Sequence, residues 1–203
     1  MVNPDLAAHT SLLATASAGS CALLAFYESD IRLLRVAVTG DSRAVLGRRM
    51  QDKQGNDSYK VHVLSADQNA SNPAERARMN VLHPGETIMA HGRVLGWGMS
   101  RVFGDGVLKW SKELMDRLSG RYIRYRYFGE TPPYMTAEPE ITTTEVQPDD
   151  FLVLGSDGLW ECLTNEEVVG MVGYHETVCQ RGQERSESLG KECVGWCELG
   201  FYG

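Results

Sequence analysis

Several broad protein classes are excluded by what this sequence lacks. No apolar run approaches the roughly 18 residues of a membrane span. The opening ten residues, MVNPDLAAHT, contain no arginine and carry an acid, so they read as neither a secretory signal nor a mitochondrial presequence. Cysteine is scarce: Cys21, Cys162, Cys179, Cys193 and Cys197 are five among 203 residues. The odd number and the spacings match neither a disulfide framework nor a zinc site, and a reducing compartment is expected. Cys21 and Cys162 stand in strand-like or strand-end contexts and are expected to be core residues. Positive charge is also short, with 20 Lys and Arg against 27 Asp and Glu for a net charge of −7. That balance argues against nucleic acid or acidic membrane as the main partner, yet it suits a local divalent-cation site. There is no G-x-S-x-G elbow, no P-loop and no H-E-x-x-H. The five histidines, His9, His62, His83, His91 and His175, lack ligand spacing.

What is present is an ordinary globular composition, 42% hydrophobic and 23% charged, long enough for one domain or part of a larger one. Residues 5–17, rich in alanine and leucine, read as a helix. Residues 21–50 read as a three-stranded meander, 21–28, 31–39 and 44–50, broken at Ser29-Asp30 and at Gly40-Asp41-Ser42-Arg43. YKVHVL at 59–64 alternates and predicts a fourth strand. Asn72, Pro73 and Glu75 have the spacing of a capped helix start, with an end expected near His83-Pro84-Gly85. Trp110, Leu114 and Leu118 recur every four residues and predict one helix with an apolar face. Two further strands, 140–146 and 151–155, flank a Gln147-Pro148-Asp149-Asp150 turn. Thr164 and Glu167 form a capping box for another helix. Strands in runs with helices between them, and no regular βαβ alternation, indicate an α+β fold. From residue 176 the periodicity disappears, and a loop or disordered tail is expected over 176–203, after one domain over 1–175.

Three acids stand out. Asp41 sits between two strands and reads as a turn residue bonding nearby backbone. Asp105, in Gly104-Asp105-Gly106, fits a turn or a site equally well. Asp157 ends the apolar stretch FLVLGSDGLWE, residues 151–161. Taken alone, that stretch is a strand leaving the core through a polar turn. It is also where a metal-binding carboxylate belongs, since a strand end is rigid and still reaches solvent. RYIRYRYF at 121–128 mixes arginine with tyrosine, but in an acidic chain it reads as an edge strand or loop with a solvated face.

Six segments, in order, resemble the metal-dependent protein serine/threonine phosphatases of type 2C, the PPM family: GSCALLAF, VTGDSRAVL, LSADQNASNPAERARM, GMSRVFGD, TAEPEI and FLVLGSDGLWE. They fall within residues 19–174. SRVFGDGVLKWSKEL and the TPPYMTAEPEI segment are similar to the pyruvate dehydrogenase phosphatase subgroup. The resemblance implies a β-sandwich flanked by helices, in α-β-β-α layers. It implies a centre of two or more Mg2+ or Mn2+ ions, with Asp157 a ligand of the main pair and Asp105 of a looser ion. The metal-bound water would then attack a phosphoserine or phosphothreonine of a protein substrate, with no phosphoenzyme nucleophile. For the subgroup the substrate is the pyruvate dehydrogenase E1 α subunit in the mitochondrial matrix. Trp160 is expected to pack rather than react. The departures are specific: the family's upstream Asp-Gly-His, its upstream phosphate-binding arginine and its closing Asp-Asn pair have no counterpart here. A partial domain, truncated at both ends, is the expectation. A catalytically inactive scaffold with the same fold is the alternative.

Overall fold

The computed structural model describes residues 13–51, 53–55, 57–118 and 129–187. Residues 13–17 are helical, while most of the helix expected over 5–17, the RYIRYRYF segment and Cys193 and Cys197 lie outside the described residues. Among the described residues there are ten strands: β1 Gly19–Ser20, β2 Ala22–Glu28, β3 Leu33–Thr39, β4 Arg43–Gln51, β5 Asp57–Val63, β6 Met89–Ala90, β7 Arg93–Val94, β8 Phe103–Gly104, β9 Glu140–Glu145 and β10 Phe151–Gly155. The α-helices are α1 Pro73–Leu82, α2 Lys112–Leu118, the single turn α3 Asp157–Trp160, and α4 Asn165–Glu187.

Two antiparallel sheets, in strand orders β10-β4-β5 and β2-β3-β9, form the centre. Strand alternation explains how they meet. Leu34 and Val36 of β3 point one way and face Ala44 and Leu46 of β4, with Leu64 closing a shared core. All six expected strands are present, displaced at their ends by at most two residues. The meander over 21–50 does not form: β2 and β3 pair, while β4 crosses to the other sheet, because both β3 and β4 carry apolar faces that bury against each other. The turn before β10 forms as read: the Asp150 N–H donates to Gln147 O, and Asp149 takes a left-handed φ of 64°. Asp150 then pairs with Arg48, its side chain 1% exposed, and ties this turn to β4.

Helix α4 packs against β5 and β4, with Val168 and Val169 buried. Gly173 makes the close approach possible, since a Cβ there would lie 2.3 Å from the Tyr59 ring. Tyr59 in turn leans on Phe151 at 5.2 Å, and Phe151 covers Gly47. The capping box is built as the spacing predicts: Thr164 N–H donates to Glu167 Oε2 at 2.8 Å and Glu167 N–H to Thr164 Oγ1 at 3.2 Å. Replacing Thr164 with Ala is expected to cost about 1 kcal/mol, readable as a small downward shift in the melting temperature. The helix does not stop near residue 176. It continues to Glu187, so the expected tail begins as helix. The reason is local: 176–187 contains no proline and is rich in Glu, Gln and Arg, which favour helix even without an apolar stripe.

A second core lies beside the sandwich and gathers Met79 from α1, Val102, Leu108, Met115, Tyr134 and Met135. Here the single helix expected from Trp110, Leu114 and Leu118 is broken. Residues 106–108 form a 3-10 turn, and α2 starts afresh after Ser111, whose Oγ accepts from Leu114 N–H at 3.3 Å. Met115 is buried and Leu114 is exposed, so the apolar face is rotated by one residue. Cys162, expected in the core, is exposed. On the outer face of β2-β3-β9, Leu24, Phe26 and Ile141 are also exposed.

Candidate metal centre

Asp157 is placed by the end of β10. Ser156 occupies the N-cap position in extended conformation, and the chain makes one helical turn, Asp157–Trp160. Trp160 folds back, its Nε1–H donating to Gly155 O at 2.9 Å. A Cβ at Gly155 would lie 2.7 Å from Leu159 and 2.9 Å from Trp160, which explains glycine there. Arg43 braces the turn from below. Its guanidinium lies 5.3 Å from the Trp160 ring, donates twice to Asp67 at 2.9 and 2.6 Å, and donates to Asn165 at 2.8 Å. Trp160 therefore packs. The Asp157 carboxylate is exposed and accepts from Gly158 N–H at 2.9 Å, with no ion pair to it among the described residues.

Asp105 is placed differently. It takes a left-handed φ of 46° between β8 and the 3-10 turn, and its N–H donates to Ala18 O at 3.2 Å. Its carboxylate sits over Gly19: a Cβ there would fall 2.3 Å from Oδ2. Burial pushes its carboxyl pKa up, against the pull of the nearby Lys109. The Lys109 ammonium is itself turned aside to Val102 O at 2.5 Å.

Asp41 departs from its expected role as a self-contained turn. Its Oδ1 accepts from the Cys21 thiol across the strands at 3.3 Å. Gly40, with φ 117°, lets the turn close on Cys21, because a Cβ there would lie 2.3 Å from Sγ. The Cys21 thiol is pushed up to about 11, first by burial and then by the negative charges of Asp41 and Asp157. Sequence reasoning missed this contact because nothing local links GSCA to GDSR.

Asp41 and Asp157 thus act on Cys21, and Asp105 sits on Gly19, two residues earlier. These are hard oxygen donors of the kind Mg2+ and Mn2+ prefer. Their number falls short: among the described residues no group of three or more His, Cys, Asp or Glu side chains is placed to hold an ion. The chemistry of the donors fits the metal, and the count does not.

A buried acid, expected to complete a helix cap, organises the neighbourhood instead. Glu75, 2% exposed, has the spacing of a capping box with Asn72 but does not cap. Asn72 caps alone, accepting from Ala74 N–H at 2.9 Å. Glu75 instead accepts from Arg101 at 2.6 Å, Arg78 at 2.7 Å and Ser100 Oγ at 2.5 Å. Burial raises its pKa, but the three donors outweigh that and hold it at about 2. A carboxylate depressed in the folded state stabilises above its unfolded pKa and loses that contribution as pH falls toward the folded value. Stability is therefore expected to drop by on the order of 2 kcal/mol between about pH 4.5 and pH 2. Glu75→Gln should flatten that limb in urea titrations.

The protein phosphatase 2C family model matches residues 4–195. The chain is 45% identical over 200 residues to protein phosphatase 2C homolog C10F6.17c of Schizosaccharomyces pombe, covering 96% of this chain and 44% of that protein. It is 45% identical over 168 residues to the mitochondrial pyruvate dehydrogenase (acetyl-transferring) phosphatase 1 of Saccharomyces cerevisiae, covering 77% of this chain and 28% of that one. The chain thus spans less than half the length of these curated relatives. A serine-threonine phosphatase 2C from Toxoplasma gondii shares the fold, with TM-score 0.50, 18% identity, and coverage of 92% of this chain and 59% of that one.

Proposed function

Because the chain belongs to the protein phosphatase 2C family, matched over residues 4–195, we propose that it derives from a Mg2+- or Mn2+-dependent protein serine/threonine phosphatase. In this reading Asp157 and Asp105 are metal-facing carboxylates. The observation that carries it is the Asp157 turn: an exposed carboxylate, without an ion pair among the described residues, on a braced strand end, next to the segment that Asp105 also addresses. A bound cation there would supply Lewis-acid activation of water. The residues of this chain orient the two acids: Arg43 and Trp160 fix the Asp157 turn, and Gly19 seats Asp105. The substrate is a phosphoserine or phosphothreonine protein. The pyruvate dehydrogenase E1 α subunit is the specific candidate, supported by relatives named for that activity, and it carries a mitochondrial matrix location with it.

The shortfall of ligands among the described residues favours a second reading, a catalytically inactive scaffold of the same fold. A Mn2+ titration of the isotopically labelled chain, followed by NMR, bears on the metal assignment. The amides of 157–158 and 105–106 are expected to broaden first. Broadening confined to other segments would remove both residues from the site.

A further inference from the structure

Asp105 is held by an element with little structure of its own. Residues 99–105 cross from α1 to β1 with two strand residues, Phe103 and Gly104, paired to Ser20 and Gly19. A chain of buried polar groups fastens this crossing at its start. Gln68 and Ser100 are fully buried, and Glu75 nearly so. Gln68 O accepts from Ser100 N–H at 2.7 Å and lies 3.0 Å from Ser100 Oγ, whose single proton points to Glu75. The Gln68 side chain accepts from Gly40 N–H at 2.7 Å and donates to Val38 O at 3.2 Å. Glu75 accepts from Ser100 and, through both N–H groups of one guanidinium edge, from Arg101 at 3.1 and 2.6 Å. Arg101 also donates to Glu138 O at 3.1 Å. The helix, the crossing and the Gly40-Asp41 turn therefore share one polar anchor.

We propose that Glu75 is a positioning residue, which fixes Ser100 and Arg101 and so holds the crossing that seats Asp105 on Gly19. Its functional meaning rests on the reading of Asp105 as metal-facing; the positioning itself does not. The geometry requires a charged acceptor at this point. Two guanidinium groups and a hydroxyl converge on one carboxylate, and an amide in its place would present N–H to N–H on one side. The hydrogen-bonded amides that report on the crossing are Val102, which donates to Thr136 O, and Asp105, which donates to Ala18 O.

The test is amide hydrogen exchange by NMR on metal-free residues 1–203, comparing the natural sequence with Glu75→Gln, Ser100→Ala and Glu86→Gln. Glu86 is the control, because it serves Thr131 and Tyr134 at the other side of the same core. Glu75→Gln is expected to speed exchange at Val102 and Asp105 at least tenfold relative to Leu46 and Val153. Ser100→Ala should act in the same direction by a smaller factor, and it decides the matter if Glu75→Gln does not fold. Glu86→Gln should leave the ratio unchanged. Mn2+ broadening supplies a readout that a generally structural role does not move: Glu75→Gln should raise the Mn2+ concentration that half-broadens the Asp105 amide about tenfold and leave the Asp157 amide where it was. Absence of Asp105 broadening in the natural sequence would count against the metal assignment alone, and the exchange ratio would still decide the positioning. An unchanged ratio in Glu75→Gln and Ser100→Ala, or an equal change in Glu86→Gln, overturns the inference.

Discussion

Asp157→Asn is expected to lower phosphatase turnover by about three orders of magnitude, roughly 4 kcal/mol in transition-state stabilisation, in any form of the protein that hydrolyses a phosphopeptide. Asparagine keeps the volume and can still accept from Gly158 N–H, so the turn should survive. What it removes is a charged oxygen donor, and a neutral amide binds a hard divalent cation far more weakly. Asp41→Asn provides the contrast. An asparagine Oδ1 accepts the Cys21 thiol as the carboxylate does, so its effect should fall mainly on stability and stay within about 1 kcal/mol. Matched melting curves with turnover separated by orders of magnitude would establish the division of roles. Equal losses of turnover in two folded variants would contradict it.

The second large effect is expected at Gly104. Its φ is +68°, and a Cβ there would lie 1.8 Å from Ala18 O, a backbone atom. Alanine adds the cost of a left-handed residue, about 1–3 kcal/mol, to an overpacking term of about 1–3 kcal/mol or more. The sum is roughly 4 kcal/mol, enough to unpair β1 from β8 and lift Asp105 off Gly19. Urea denaturation should show that loss. A melting midpoint within a degree or two of the natural sequence would mean that the β1–β8 contact is not held as described.

Local signals were legible and long-range ones were not. The strand at 151–155 follows from an apolar run ended by a polar turn, and its bounds agree with β10. Asn72 and the Thr164–Glu167 pair cap their helices because capping depends on residues within one turn. Glu75 has the same local spacing and a different fate, because Arg101 lies 26 residues further along and outcompetes the cap. The break before α2 goes with Leu108 O being taken by Tyr134 N–H, 26 residues further along, which a period of four cannot reveal. Asp41 illustrates the same limit, since its partner Cys21 is reached only when two sheets assemble. The proposed metal-facing role of Asp157 and Asp105 rests on resemblance and not on periodicity. The spacing alone left a turn and a ligand equally open for Asp105.

Two carboxylates and a neighbouring Asp41 make a poor Mg2+ site, because that ion gives up water reluctantly and asks for near-octahedral oxygen ligands. An efficient two-metal centre holds its ions about 3.5–4 Å apart with ligands from several segments. The described residues offer no such set. The direct measurement is hydrolysis of a phosphoserine peptide by purified residues 1–203 in millimolar Mg2+ or Mn2+, with Asp157→Asn alongside. The expected result is metal-dependent release at least about a thousandfold below the 1–10³ s⁻¹ usual for enzymes. Turnover inside that range, lost in Asp157→Asn, would show that acids outside this assignment complete the centre.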